Sequence, residues 1–326
     1  MEGKPKKSVL DNEDIGNQNY AAFVCKNEEF DSERGAFTKV ARVFIYDSME
    51  KKIREVAKFD LGDLFISWIA VVRKGSFYRL YVLTQILETN SCRPDCIRYI
   101  DIKIHEFGIY GTGAWHIVPT RIPGMRTQAG AVMIDPDTLI MCGGHDRDIN
   151  DYTTSCVSID VDTGFTLCFP DMINPRYFAD AVKYRETVVI IGGSTFKSTS
   201  CPFKGAVCEQ YDPVTGMWVE IGRPMMDIDL PSAVVANSKV YVTNLHIPHV
   251  GIYDGHTWTV VDIIPYAFTK GELLCCVPLK CEILRCWTGS KREAAWLEIM
   301  DLDTLRVGPF RDCRLPEYTL VGVASF

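Results

Sequence analysis

The chain has 326 residues, of which 47% are hydrophobic, and a formal net charge of −7. This composition can bury a large core, whereas the negative charge disfavours binding to the phosphate backbone of nucleic acids. The charged N-terminus lacks the apolar stretch of a secretory signal, and no window approaches the roughly 18 consecutive apolar residues of a membrane span. Because thirteen cysteines occur without a signal, we expect free thiols in a cytoplasmic protein, with a nuclear location as the alternative, that binds neither membrane nor nucleic acid.

The first 18 residues are polar, so we expect a loose tail at 1–18 and one folded domain over 19–326. The first strands of that domain are predicted at Tyr20–Cys25, Val40–Tyr46 and Ile53–Val56, where apolar and β-branched residues dominate. Fully apolar runs such as Thr187–Ile191 are typical of strands buried on both faces. No segment shows sustained helical periodicity, which favours an all-β fold.

A pattern with a period near 50 residues repeats along the chain. Two glycine doublets, at 143–144 and 192–193, lie 49 residues apart, and each follows an apolar strand. An apolar residue followed by aspartate recurs six times, at Tyr46-Asp47, Ile100-Asp101, Ile159-Asp160, Tyr211-Asp212, Tyr253-Asp254 and Met300-Asp301. Four short strands fit between successive copies. A supersecondary unit of this length, repeated six times, is typical of a β-propeller.

The C-terminal segment Tyr318–Phe326 has the pattern of one strand with no further strands after it. The N-terminal segment supplies the three strands that would complete its sheet. The sequence therefore predicts a six-bladed β-propeller whose last strand closes the ring, which removes two free sheet edges.

Between Arg176 and Met225 the chain contains Arg…Ala, an apolar strand, Gly-Gly, Tyr-Asp, Thr-Gly-x-Trp and Pro-Met in that order. This order resembles the kelch repeat. The copy that begins at Arg126 is similar, and the other copies are degenerate. The resemblance implies a kelch-type propeller in which the glycine doublets, Tyr211 and Trp218 serve contacts between neighbouring blades.

The chain is similar to the propellers of kelch-like adaptor proteins, which implies a peptide-binding face built from residues before the first strand of a blade and after the glycine pair. The matching positions here are Arg126, Thr127, His145, Asp146, Arg176, Tyr177, Ser194, Thr195 and Asn244. Arginine pairs bidentately with carboxylates. Some loops are basic at Lys197, Lys204, Lys291 and Arg292, and the two interpretations are that these charges steer an acidic partner or that they only keep the loops soluble. The adaptor family usually carries a helical dimerisation domain before the propeller, and we do not expect the few residues ahead of Tyr20 to form one. We therefore expect a monomer that is a propeller-only protein or part of a larger adaptor.

The function indicated is that of a non-catalytic scaffold that binds a partner protein or peptide. The alternative is a propeller enzyme or small-molecule-binding protein with its site at the mouth of the central channel, where His145, Arg126 and Arg176 would act. The six histidines are scattered and no cysteine spacing matches a zinc site, so neither a metal nor a cofactor is expected.

Overall fold

The computed structural model describes residues 19–31, 35–62, 64–86, 96–105, 108–120, 122–123, 128–195, 207–226, 228, 231–244, 247–262, 272–279, 282–288, 296–309 and 319–325. In these ranges the chain forms no α-helix, and its strands make six antiparallel sheets arranged as the blades of a propeller. The predicted all-β, six-bladed fold is confirmed.

The first blade combines the two ends of the chain. From the axis outward its strands are β27 (Thr319–Ser325), β1 (Tyr20–Asp31), β2 (Ala36–Asp47) and β3 (Lys52–Asp60). The second blade contains β4 (Leu64–Lys74), β5 (Phe77–Ile86), β6 (Cys96–His105) and β7 (Gly108–Gly111), and a short β8 (His116–Ile117) also pairs with β6.

The third blade contains β9 (Gly130–Met133), β10 (Thr138–Cys142), β13 (Cys156–Asp160) and β14 (Thr166–Phe169). Between β10 and β13 the chain forms a separate hairpin of β11 (His145–Asp146) and β12 (Asp151–Tyr152). The fourth blade contains β15 (Asp180–Tyr184), β16 (Thr187–Ile191), β17 (Glu209–Asp212) and β18 (Met217–Glu220).

The fifth blade contains β19 (Pro231–Ala236), β20 (Lys239–Asn244), β21 (Ile247–Tyr253) and β22 (Trp258–Asp262). The sixth contains β23 (Glu272–Leu279), β24 (Glu282–Thr288), β25 (Trp296–Asp301) and β26 (Val307–Pro309).

The C-terminal strand closes the ring, as the sequence predicts. Strand β27 runs antiparallel to β1, with Ala22 opposite Ala324 and Phe23 opposite Val323. It also lies against the innermost strands of the second and sixth blades, so the six innermost strands follow one another around the axis.

The hydrophobic core is divided among the junctions of the ring. Within the described ranges the buried apolar side chains form six clusters, and each lies between two neighbouring blades. A blade is therefore a two-faced layer that is buried only because it has a neighbour on each side.

Tryptophans on or next to the outer strands join neighbouring blades by a recurring hydrogen bond. The indole N–H of Trp115 donates to the carbonyl of Lys58 (3.1 Å) and that of Trp258 to the carbonyl of Ile221 (3.0 Å). Trp218 donates to Pro170 in the same way (2.7 Å), and its ring lies 6.2 Å from that of Phe169. The interpretation of Trp218 as an interblade contact is confirmed.

The repeated aspartate forms the turn between the third and fourth strands of a blade. The carboxylate of Asp160 accepts hydrogen bonds from the backbone N–H of Asp162 (3.0 Å) and Thr163 (2.8 Å). The equivalent turn begins at Asp47, Asp212, Asp254 and Asp301. These hydrogen bonds favour the ionised carboxylate, so the pKa of Asp160 lies below its usual value. Asp101 differs, because its carboxylate pairs with Arg79 instead (2.6 Å).

Glycine is required at the end of β16 by close approach of the next blade. Gly192 has a φ of +59°, and a Cβ atom there would overlap the carbonyl oxygen of Ile228. Gly216, in the turn after β17, has a similar φ of +71°, but a Cβ atom there would have no neighbour within 4 Å. Both glycines are therefore left-handed, and only Gly192 also lacks the space for a side chain.

We expect Gly192→Ala to lower the free energy of unfolding by about 1–3 kcal/mol more than Gly216→Ala, because both substitutions strain a left-handed residue but only the first forces two blades apart. Urea denaturation followed by tryptophan fluorescence measures the difference. Equal losses in the two variants would show that the interblade contact at Gly192 is unimportant.

A carboxylate joins the innermost strands of the fourth and fifth blades. The side chain of Asp180 accepts hydrogen bonds from the backbone N–H of Ala181 (2.8 Å) and from that of Ala233 on β19 (2.7 Å). Burial penalises the charged form and raises the pKa of Asp180 to about 6, although both N–H groups act in the opposite direction.

Asp180 therefore makes folding pH-dependent. The carboxyl group of Asp180 binds a proton more tightly in the folded protein than in the unfolded chain. The stabilisation that comes from this proton is complete below about pH 4 and is lost as the pH rises through 6. We expect the free energy of unfolding of the wild type, relative to Asp180→Asn, to fall by about 2–3 kcal/mol between pH 4 and pH 7. Chemical denaturation at a series of pH values tests this, and a constant difference would contradict it.

Candidate interaction surface

The hairpin of the third blade places aromatic and acidic side chains on its two faces. In this hairpin His145 lies opposite Tyr152, and Asp146 lies opposite Asp151. Because successive strand residues point to opposite faces, the aromatic pair occupies one face and the two aspartates the other. The ring of His145 also lies within hydrogen-bonding distance of the amide oxygen of Asn150 (3.2 Å).

Backbone hydrogen bonds bring the fourth blade against this hairpin. The N–H of Gly144 donates to the carbonyl of Arg176 (2.8 Å). The next residue, Tyr177, exchanges two backbone hydrogen bonds with Ser194, at 3.0 and 2.8 Å. The segment before β15 is thus held between the two glycine-doublet loops, which brings the predicted positions Tyr177 and Ser194 next to each other.

Four rings meet there and form what we call the aromatic surface: His145, Tyr152, Tyr177 and Phe178. Tyr152 and Tyr177 stack with their centroids 5.1 Å apart and their planes at 11°. His145 meets both edge-on, at 6.1 and 6.3 Å. Phe178 lies 4.1 Å from Tyr177 and is 38% exposed. Burial, with a smaller contribution from Tyr152, raises the pKa of Tyr177, so its hydroxyl is protonated at neutral pH.

Phe178 occupies a backbone conformation that bulky residues rarely adopt. Its φ is +60°, and its N–H donates to the carbonyl of Gln128 (3.1 Å). Gln128 stands at the equivalent place of the preceding repeat and has a φ of +55°. The fold therefore imposes the left-handed conformation, which glycine adopts most easily. Since Gln128 adopts the same conformation, the ring of Phe178 is not what produces it.

Arg176 lies in the interior and not on the face expected for it. Its side chain is fully buried, and its guanidinium donates to Glu209 and to the carbonyls of Gly192 (2.9 Å) and Val207 (3.0 Å). The predicted direct contact between Arg176 and a partner carboxylate does not fit this placement, because an internal carboxylate already neutralises the guanidinium.

Glu209 organises the segment that carries the aromatic surface. Besides Arg176, its carboxylate accepts hydrogen bonds from the backbone N–H of Ile173 (2.7 Å) and Asn174 (3.0 Å). The side-chain amide of Asn174 donates to it as well (3.1 Å). This buried group fixes residues 173–176, which immediately precede Tyr177.

The remaining predicted positions are only partly brought together. Asp146 and Thr195 are half-buried near the surface, and Asp146 caps its own turn by accepting the N–H of Asp148 (2.9 Å). Asn244 ends β20, where its backbone pairs with Pro231. The predicted contacts at Arg126 and Thr127, and the basic loop positions Lys197, Lys204, Lys291 and Arg292, lie outside the described residues.

The positional comparison with kelch-like propellers missed two residues of the aromatic surface. Tyr152 follows the glycine doublet by eight residues, beyond the range considered. Phe178 aligns with Gln128 when the two repeats are superimposed on Arg126 and Arg176. The sequence signal that could have identified Phe178 is that it is a bulky aromatic residue where the other repeat has the polar Gln128.

A hollow of about 400 Å³ lies at the opposite ends of the strands, between the first two blades. It is lined by Tyr20, Asp47, Met49, Glu50, Arg54, Ile104, Gly108 and Ile109. The sequence-based alternative of a catalytic site used His145, Arg126 and Arg176. Neither His145 nor Arg176 lines this hollow, and Arg126 lies outside the described residues.

The fold defines the chain as a six-bladed β-propeller. No protein-family model matches the sequence, and no curated protein matches it. Among the described residues no helix is long and apolar enough to cross a membrane. The same part of the chain contains no group of three histidine, cysteine, aspartate or glutamate side chains that could hold a metal ion.

We expect Glu209→Gln to lower the free energy of unfolding by about 3–5 kcal/mol, because it leaves the buried Arg176 without its counter-charge. The matched control is Glu220→Gln, since Glu220 also bonds Asn174 (3.1 Å) but is exposed. The control should change stability by less than about 1 kcal/mol. Thermal and urea unfolding of both variants measure this, and similar small losses would show that the buried pair is dispensable.

Proposed function

We propose that the chain is a non-catalytic, kelch-type interaction module that binds a protein or peptide through the aromatic surface. The observation that carries the proposal is the exposed ring of Phe178, held at a position where the fold favours glycine. An exposed aromatic residue in a strained conformation is unfavourable for the isolated protein. Such features concentrate at sites selected for contact with a ligand.

The surroundings of the surface support a binding role. Aromatic residues provide large contact areas at a small cost in conformational entropy, and interfaces are enriched in them. The segment before β15 is fixed by the buried pair of Arg176 and Glu209 and by the bridge from Tyr177 to Ser194. Little ordering is therefore required when a partner binds.

The alternative of an enzyme or small-molecule site at the channel mouth is less well supported. It relied on Arg176, whose guanidinium is engaged with Glu209 in the interior. His145 is half-buried beside Tyr152 and Tyr177, and its ring pairs with the amide oxygen of Asn150 and with no carboxylate of the described residues. A histidine that acts as a general base is commonly held by a carboxylate that also stabilises its charged form.

We further propose that the module acts as a monomer in the cytoplasm or nucleus. Eight cysteines in the described part of the chain are free thiols, and seven of these are buried. Such usage is typical of proteins in a reducing compartment.

The test removes the exposed ring without disturbing the fold. In Phe178→Gly the loss of ring contacts is offset by relief of the left-handed strain, so stability should change by about 1 kcal/mol or less. The matched control is Phe165→Ala, which removes another exposed phenylalanine, 64% accessible, from the outer rim. Quantitative pull-down from native extract compares both variants with the wild type, and purified candidate partners are then titrated directly.

We expect Phe178→Gly to lose specific partners that Phe165→Ala retains, with direct affinities reduced at least about tenfold, as for a hot-spot residue. Recovery of the same proteins in equal amounts by all three forms would overturn the proposed surface. Circular dichroism and thermal unfolding establish that each variant is folded.

A further inference from the structure

We propose that the aromatic surface receives a positively charged side chain, arginine or lysine, from a basic peptide segment of the partner. This inference rests on the proposed function and adds the chemistry of the ligand. It is opposite in sign to the acidic partner that the sequence suggests.

The rings provide the first part of the argument. The face of an aromatic ring carries negative electrostatic potential and attracts a cation within about 6 Å of its centroid. Tyr177 lies in the middle of the group, with Tyr152 stacked on it and His145 at its edge. Phe178 is 38% exposed and extends this aromatic group to solvent. A guanidinium or ammonium group placed against the exposed ring of Phe178 therefore enters the negative potential of an aromatic group that includes Tyr177.

The charges of the hairpin provide the second part. Residues 145–152 contain three aspartates, Asp146, Asp148 and Asp151, against one arginine, Arg147. Asp146 and Asp151 project from the hairpin face opposite the rings, so they act through their field over distances comparable to the Debye length of about 8 Å. This local excess of negative charge has the same sign as the net charge of −7 on the whole chain.

The burial of Arg176 provides the third part of the argument. A surface arginine at this place would pair with an acidic ligand, but the guanidinium is buried against Glu209. The described residues of the hairpin and of the segment before β15 then carry the aromatic rings and three aspartates against the single Arg147. Charge complementarity therefore favours a cation.

The probes are three pools of nine-residue peptides whose central residue is arginine, leucine or glutamate and whose flanking residues are randomised without charge. Fluorescence anisotropy with the full chain gives their affinities. We expect the arginine pool to bind at least five times more tightly than the leucine pool, and the glutamate pool to bind weakest. Raising the salt concentration should weaken only the arginine pool.

Two substitutions separate cation recognition from ordinary apolar contact. Phe178→Leu keeps an apolar side chain in the same backbone conformation but removes the ring, so it should reduce arginine-pool binding about fivefold and leave leucine-pool binding nearly unchanged. Asp148→Asn removes one hairpin charge and should weaken the arginine pool about twofold. Its matched control is Asp303→Asn, an exposed aspartate of a sixth-blade turn, which should have no effect.

The outcomes distinguish the two proposals. If the leucine or glutamate pool binds best and Phe178→Gly abolishes that binding, the aromatic surface is an interaction site and the cation inference is wrong. If no pool binds, or if binding is the same in Phe178→Gly, the cation inference fails, and the pull-down comparison decides separately whether the surface binds a partner at all.

Discussion

The antiparallel pairing of β27 with β1 is the contact on which the rest of the structure depends. It joins the two ends of the described domain and gives every blade a neighbour on both sides. Each of the six interblade clusters is complete only under that condition, because a blade buries its apolar side chains against the next blade and not within itself. Closure also gives the innermost strand of each blade a neighbouring innermost strand on both sides. The loops at the ends of the blades therefore project from a fixed frame.

Charged groups reinforce this frame where two blades need more than apolar contact. Between the second and third blades, Lys74 pairs with Asp137 and Asp162, and Arg79 bridges Asp162 (3.1 Å) and Asp101 (2.6 Å). In the fourth blade the corresponding role falls to the buried pair of Arg176 and Glu209, which holds a loop instead of a second blade. The frame and the candidate site are thus stabilised by the same kind of interaction.

The glycine doublets connect the fold to the surface. A Cβ atom on Gly143 would lie 2.8 Å from the carbonyl oxygen of Arg176, and one on Gly193 would lie 2.9 Å from that of Tyr177. The absence of these atoms lets the segment before β15 pass between the two loops. Glycines that the sequence identifies as elements of packing therefore also determine where the rings of Tyr177 and Phe178 lie.

This connection explains how much the sequence could reveal. The six-bladed ring was predictable because its signals are local and repeated, as in the turn begun by Asp160 and the interblade role of Trp218. For the candidate site, the sequence could predict which loops form it but not which of their side chains face solvent. Whether Arg176 faces solvent depends on Glu209, which is 33 residues away and belongs to no recognisable motif. The exposure of Phe178 likewise follows from a backbone conformation that only the tertiary structure defines.

The burial of Arg176 changes what this face of the propeller can recognise. The arginine at this repeat position, Arg176, forms a buried ion pair with Glu209 and is not available to a ligand. The carboxylate of Glu209 also accepts a hydrogen bond from the backbone of Asn174 and so fixes the adjacent loop. An arginine that is neutralised inside the protein contributes almost no field at the surface, whereas the hairpin aspartates remain in contact with solvent or near it. The sign of the local potential is then set by Asp146, Asp148 and Asp151 together with the negative faces of the rings. Under the proposed cation recognition, the charge preference of this face thus depends on whether one arginine side chain lies in the core or in solvent, with the same fold in both cases.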